Sequence, residues 1–173
     1  MMLKKILFIC VAVFFIAIYF DKLHPRLFQE KIKEIDKIVV KKEQRMLSLF
    51  NNGNHIKSYS ISLGRNPKAH KTKEGDGKTP EGIYFIDWKH PNSSYHKAIR
   101  ISYPNAMDKI QAIKAGKEPG GDIMVHGMPN CFGWLSPLLI RTDWTEGCIA
   151  VSNTAIEEIA SSIKIGTKIV IEP

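Results

Sequence analysis

The first twenty residues constrain the chain most, because they separate a short apolar segment from everything that can form a globular domain. Lys4 and Lys5 precede fifteen apolar, uncharged residues at positions 6–20, and a charged pair at 21–22 ends the run. Basic residues before an apolar run are typical of export signals. The run is shorter than the ~20 residues that span a bilayer comfortably, but no small-residue cleavage site follows it. We therefore predict a signal anchor at residues 1–20, in preference to a cleaved signal peptide, with membrane contact through residues 6–20.

The segment that follows, residues 21–36, has helical periodicity. Charged residues alternate with apolar residues that recur every three to four positions, namely Leu23, Leu27, Phe28, Ile32 and Ile35. This pattern predicts an amphipathic helical linker, which either packs on the domain or serves as a stalk.

The remaining residues, 37–173, have the length and composition of one globular domain. The chain is 44% apolar and 24% charged, and its formal net charge is +8. Residues 1–45 hold ten basic and five acidic side chains, so most of this excess lies outside the body. Nucleic-acid-binding domains instead carry basic and aromatic residues together on the body. We therefore predict no nucleic-acid partner.

Short segments of alternating or β-branched residues, bounded by turn residues, predict a mainly β body. The predicted strands are 37–40, 46–50, 55–63, 83–87, 99–103, 123–126 and 168–172. Asn105 is placed to cap a short helix at 106–114, and Asn153 to cap a second one. This combination predicts a β-sandwich or open barrel of mixed strands with two short helices.

A loop of about twenty residues between His126 and Cys148 is the candidate functional region, because loops of that length in compact domains are usually functional. A cysteine attacks as the thiolate, and a neighbouring histidine can take its proton. A backbone carbonyl near Gly127 could fix the imidazole tautomer, and the amides of Gly147 and Cys148 are candidates for an oxyanion hole. One cysteine and one histidine alone fit a buried thiol and a core histidine at least as well.

Two motifs bound this loop, IMVHG at 123–127 and DWTEGCIAV at 143–151. Three further segments precede them in order: SISLGRNP at 60–67, EGDGKTPEG at 74–82 and RISYPN at 100–105. Together these segments resemble the L,D-transpeptidase catalytic domain of the YkuD type over residues 37–173.

The resemblance implies a cysteine-dependent acyltransferase of the bacterial cell envelope that acts on peptidoglycan stem peptides in the periplasm or extracytoplasmic space. Cys148 would attack after the third stem residue and release D-Ala. His126 would act as general base and then acid, with the Gly127 main chain orienting it. An amine of a second stem would then complete a 3→3 cross-link.

The resemblance also implies covalent inhibition by carbapenems and no cofactor. Hydrolysis of the same acyl-enzyme would instead make the chain an L,D-carboxypeptidase or amidase. A peptidoglycan-binding module in which Cys148 is inert is the alternative from a different class.

Two residues depart from the family pattern. Thr145 replaces the usual serine and keeps its hydroxyl, so we expect it to contact substrate, whereas Ala150 replaces the usual arginine and removes a cation. His96 and Arg100 flank a predicted strand and could line a substrate groove, where Arg100 would pair with a stem carboxylate. A surface salt bridge of Arg100 is equally consistent.

Metal binding is not predicted, since the six histidines are scattered and neither HExxH nor CxxC occurs. Cys131 is expected to be a partly buried bystander. Sequence alone does not tell whether its sulfur can reach Cys148 to form a disulfide.

Overall fold

A computed structural model describes residues 34–173, together with Ile16 and Tyr19. The predicted anchor at 1–20 and most of the linker at 21–36 lie outside the described residues, and positions 34–36 are irregular. Within the described part of the chain, no helix is long and apolar enough to cross a membrane.

Eight strands form one mixed sheet, which confirms the mainly β prediction. Their bounds are β1 Lys37–Lys41, β2 Met46–Asn51, β3 Asn54–Ser60, β4 Gly82–Ser93, β5 His96–Ile101, β6 Met124–His126, β7 Ile149–Ala150 and β8 Lys168–Glu172. The order across the sheet is β3-β2-β1-β8-β4-β5-β6-β7. The β1–β8 and β6–β7 pairs are parallel, and the other neighbours are antiparallel.

The sheet curls until its two ends meet. Ser62, just after β3, forms a bridge with Ala150 of β7 through two backbone hydrogen bonds of 2.9 Å each. Because β3 and β7 are the first and last strands of the order, this bridge brings opposite edges together. The curled sheet, whose two halves share β4, fits the predicted β-sandwich or open barrel.

The hydrophobic core lies inside the curl, against one helix. Alternate residues of the strands face it and are fully buried, among them Ile38, Leu47, Ile86, Ile99, Val125, Ile149 and Ile169. Ile156 and Ile159 of the last helix complete the core from the other side. Period-two burial of this kind fixes the register, since a slip of one residue would turn every apolar side chain outward.

Within residues 34–173, three short α-helices lie in the connections between strands: α1 at Ala106–Lys114, α2 at Ser136–Leu139 and α3 at Asn153–Ser162. Asn105 caps α1 as predicted, and its side-chain oxygen accepts hydrogen bonds from two backbone amides. The N-cap of α3 is Ser152 instead of Asn153. The Asn153 side chain is turned inward, where it accepts a hydrogen bond from the Met128 amide at 2.9 Å.

The strand bounds differ from the sequence prediction most at β3, β4 and β5, and β7 was not predicted as a strand. β4 continues through Pro91 to Ser93, a segment for which a loop was predicted. Two shifts in its register with β5 allow the end of β4 to stay paired with β5 up to the turn that joins them. β3 ends at Ser60, short of the predicted 63, because the chain leaves the β2 partner to reach β7. The predicted loop before Cys148 also contains α2 and a 3₁₀ turn at Gly133–Leu135.

Candidate active site

A pocket of about 370 Å³ opens on the outer face of the sheet and contains both predicted catalytic side chains. His126 and Cys148 line it together with Ser93, Tyr95, Ala98, Asp122, Met124, Trp144, Thr145 and Glu146. The twenty-one residues between His126 and Cys148 therefore fold back so that both side chains line the same pocket.

The parallel register of β6 and β7 explains why these side chains meet. His126 pairs with Ala150, and Val125 pairs with Ile149. Side chains alternate along a strand, so His126 and Cys148 share the outer face while Val125 and Ile149, both fully buried, face the core. Cys148 thus faces away from the core residues Val125 and Ile149.

His126 is held in one tautomer by its own neighbour. Its Nδ1 lies 2.7 Å from the Gly127 carbonyl oxygen, which can only accept a hydrogen bond, so Nδ1 carries the proton. Nε2 is therefore the basic atom. Burial lowers the pKa of His126, against the opposing effect of the Gly127 hydrogen bond, and keeps the imidazole neutral.

Two aromatic rings enclose this imidazole. The Tyr95 ring lies 4.6 Å from the His126 ring, and the Trp144 ring lies 5.8 Å away edge-on. Tyr95 stands in the tight turn between β4 and β5, a position that the sequence analysis missed because nothing local marks it. Trp144 carries a buried indole nitrogen that has no hydrogen-bond partner within residues 34–173.

The Cys148 thiol is also uncharged at rest. Its sulfur lies 3.6 Å from the Asp122 carbonyl oxygen. Burial is the main cause that raises the pKa of Cys148, the Asp122 carboxylate adds to it, and the Met124 amide and Lys71 act in the opposite direction. A neutral thiol beside a neutral imidazole can react only if the proton passes to Nε2 during attack.

Gly147 permits the sharp turn that presents the thiol. Its φ is +129°, and an added Cβ would lie 2.6 Å from the Lys78 carbonyl oxygen. The Gly147 amide donates to the Thr145 hydroxyl at 3.2 Å, and that hydroxyl donates to the Cys148 carbonyl at 2.7 Å. Gly147 was predicted to donate to the oxyanion and Thr145 to contact substrate. The Gly147 amide and the Thr145 hydroxyl are instead used in hydrogen bonds within the turn.

Gly127 is enclosed as tightly. Its amide is shared between the carbonyl oxygens of Tyr95 and Lys97, each at 3.1 Å. An added Cβ would lie 2.7 Å from Asn153 Oδ1. A side chain at this position would push away the turn that carries Tyr95, so only glycine keeps the carbonyl at His126 Nδ1.

The other two predicted substrate residues are not on the pocket wall. Arg100 Nε donates to Asp87 at 2.9 Å, and its NH1 lies 3.5 Å from Asp122. His96 Nε2 lies 2.9 Å from Glu157 of α3 and fixes the β4–β5 turn to that helix. Arg100 thus forms a salt bridge, which was the alternative prediction to pairing with a stem carboxylate. His96 was expected to line a substrate groove, and its side chain contacts α3.

Ala150 and Cys131 have clear positions. Ala150 is fully buried, and its backbone forms the bridge to Ser62. Cys131 is exposed, unlike the partly buried residue that was expected, and both it and Cys148 are free thiols.

A thiol and an imidazole that line one pocket are the groups that a thiol-dependent acyl-transfer site requires. The family model of the L,D-transpeptidase catalytic domain, YkuD, matches residues 36–171. The chain therefore belongs to this family.

Comparisons with individual proteins agree with this family assignment. The chain is 31% identical over 128 residues to the putative L,D-transpeptidase YafK of Escherichia coli K12, an alignment that covers 70% of this chain and 44% of that protein. The helical cell shape determining protein Pgp2 of Campylobacter jejuni superposes with a TM-score of 0.62 and 28% identity, over 83% of this chain and 48% of that one.

Bd1075 of Bdellovibrio bacteriovorus superposes with a TM-score of 0.56 and 31% identity, over 83% of this chain and 49% of that one. The chain thus spans about half the length of these relatives.

Proposed function

We propose that this chain is a peptidoglycan L,D-transpeptidase in which Cys148 is the nucleophile and His126 the general base. The observation that carries the proposal is the shared pocket wall of the two side chains, with Nδ1 of His126 committed to Gly127 and Nε2 left as the base. Family membership supplies the substrate class, the stem peptides of peptidoglycan.

The proton transfers of the proposed reaction need only this pair. As Sγ of Cys148 attacks the carbonyl carbon of the third stem residue, the thiol proton moves to Nε2 of His126. The same proton then passes to the amine of the departing D-Ala, and a thioester remains. An amine of a second stem attacks the thioester, gives a proton to His126, and expels the Cys148 thiolate, which is reprotonated by the imidazolium.

For the oxyanion, we assign the main-chain amide of Cys148. The Gly147 amide already donates to Thr145, so the amide of the nucleophile itself is the better placed of the two predicted donors.

Location and biological role follow the same proposal. The predicted anchor at 1–20 would tether the catalytic domain to the outer side of the cytoplasmic membrane. Pgp2, similar to this chain in fold and sequence, is a cell shape determining protein, which supports a role in remodelling the wall.

The first experiment is the intact mass of the protein after incubation with a carbapenem. We expect a stoichiometric adduct that is absent in Cys148→Ala and formed much more slowly in His126→Ala. An adduct on Cys148→Ala would exclude Cys148 as the nucleophile. A folded, reduced protein without any adduct would favour the binding module.

The second experiment separates transfer from hydrolysis. The protein is incubated with disaccharide-tetrapeptide and the products are analysed by mass spectrometry. Cross-linked dimers with release of D-Ala support the transpeptidase, whereas tripeptide products alone would show an L,D-carboxypeptidase.

A further inference from the structure

The outer face of the sheet extends beyond the pocket, toward β4. Arg100 of β5 pairs with Met124 of β6 on one side and with Trp88 of β4 on the other. Paired residues project from the same face of a sheet. Trp88 and Arg100 therefore lie in line with Met124 and, through the register of β6 and β7, with Cys148.

The side chains of this row touch one another. The Arg100 guanidinium lies 5.5 Å from the centre of the Trp88 ring and pairs with Asp87 and Asp122. Asp122 is itself part of the pocket wall. The row is thus a continuous extension of the catalytic pocket.

Neighbouring side chains hold the Trp88 indole in place, but part of its ring surface remains accessible to a ligand. The His90 ring stacks on it at 4.8 Å with an interplanar angle of 17°. Even with His90 and Arg100 against it, Trp88 is 42% exposed. A large aromatic surface fixed in this way is a ready binding platform.

The charges around this platform indicate which chemistry it suits. Asp87, Arg100 and Asp122 together carry one net negative charge, which disfavours a ligand carboxylate. The carboxylates can accept hydrogen bonds from hydroxyl groups and the guanidinium can donate them. An aromatic face beside such groups fits a neutral, hydroxyl-rich ring, that is, a sugar.

The spacing agrees with this ligand. Trp88 lies three strands from Cys148 in the row, or ~14 Å at the usual strand separation. The stem residues from the third back to the first extend ~10 Å, and the lactyl group that joins them to the amino sugar adds a few ångströms.

We propose that Trp88, with Asp87 and Arg100, forms a subsite for the amino sugar that carries the donor stem. This subsite rests on the proposed function, since it assumes that the third stem residue lies at Cys148. The donor stem then crosses the strands from β7 toward β4, and the glycan strand lies over β4.

The test compares two donors, free tetrapeptide and disaccharide-tetrapeptide, in the full chain. For Trp88→Ala we expect KM for the disaccharide donor to rise about tenfold with kcat unchanged, while KM for free tetrapeptide stays the same. Trp88→Phe should keep most of the native KM. Phe85 is a similarly exposed aromatic residue on the same strand but outside the row, and Phe85→Ala should change KM for neither donor.

Equal effects of Trp88→Ala on both donors, or none on either, would overturn the subsite. Binding of the sugar-only disaccharide to Cys148→Ala, followed by NMR, separates this proposal from the catalytic one. If native protein turned over neither donor, the proposed function would fail. Disaccharide binding that is lost in Trp88→Ala would still support a sugar site, and absent binding would overturn it.

Discussion

At the scale of single residues, the site is a pair of groups that are both kept neutral. Burial raises the pKa of the Cys148 thiol and lowers the pKa of the His126 imidazole. A thiolate–imidazolium pair is therefore disfavoured before substrate arrives. In the proposed mechanism the proton is therefore transferred during attack, and a neutral resting thiol is protected from indiscriminate alkylation.

This arrangement predicts how acylation depends on pH. His126 must be neutral to accept the proton, and its lowered pKa keeps it neutral below the ordinary value of about 6.5. The low-pH limb of carbapenem acylation should therefore lie below pH 6.5, as measured by stopped-flow fluorescence. A limb above that pH would contradict the buried, neutral imidazole.

The same protein should show no thiolate absorbance from Cys148 at neutral pH. The difference spectrum at 240 nm between native protein and Cys148→Ser isolates this thiol from the others. We expect thiolate to appear only above the ordinary cysteine pKa, because burial raises it. Substantial absorbance at pH 7 would show a preformed ion pair.

Gly147 gives a prediction about backbone geometry. Gly147→Ala places a Cβ against the Lys78 carbonyl at a φ of +129°, which should cost at least ~2 kcal/mol and slow acylation over a hundredfold. Gly53→Ala is the matched control, since its φ is also positive but its surroundings are open. It should destabilise the protein by about 1 kcal/mol and leave acylation unchanged, as urea unfolding and adduct kinetics will show.

At the scale of elements, the polar loop at 65–81 packs against the turn that carries Cys148. Asp76 is its organising residue: it accepts hydrogen bonds from the amides of Thr72, Lys73 and Lys78 and from Lys71 Nζ. Lys78 in turn packs its carbonyl against Gly147. The loop held by Asp76 thus supports the turn that carries Cys148.

The hydrogen bonds of Asp76 predict a contribution to the free energy of unfolding that is lost in acid. Burial alone would raise the pKa of Asp76, but these hydrogen bonds outweigh it and lower the pKa to about 2. Because the folded-state pKa is depressed, the stabilisation is fully present above the unfolded value of about 3.9 and is lost as pH falls toward 2.

Urea unfolding at pH 7 and pH 3 tests this contribution of Asp76 to stability. Asp76→Asn should be less stable than native protein at pH 7, and the difference should shrink at pH 3. An equal difference at both pH values would show that the charge of Asp76 contributes nothing.

At the scale of the whole molecule, the curled sheet is closed by contacts between elements that are distant in sequence. Ser62 joins Ala150, and the β3 edge is tied to α3 by Glu158, which is buried and accepts from Lys57 Nζ and the Tyr59 hydroxyl. These contacts hold the edge strand on the core.

Removing this tie should weaken the entire fold. Glu158→Ala leaves two donors without their acceptor and is expected to lower the free energy of unfolding by about 2 kcal/mol in one cooperative transition. Lys164→Ala is the control, because its pair with Glu34 is exposed and should contribute little. Equal losses in the two variants by urea unfolding would contradict a special role for the buried tie.

Local features followed from the amino-acid sequence: alternation marked most of the strands, Asn105 marked the start of α1, and the motifs around His126 and Cys148 marked two side chains that line the pocket. Each depends on residues a few positions apart, which share one backbone conformation. Tertiary packing alone places Tyr95 against the imidazole, the Lys78 carbonyl against Gly147, and Trp88 in line with Cys148. These contacts join separate segments, and burial of the core, which sets the register of the sheet, determines which of them meet.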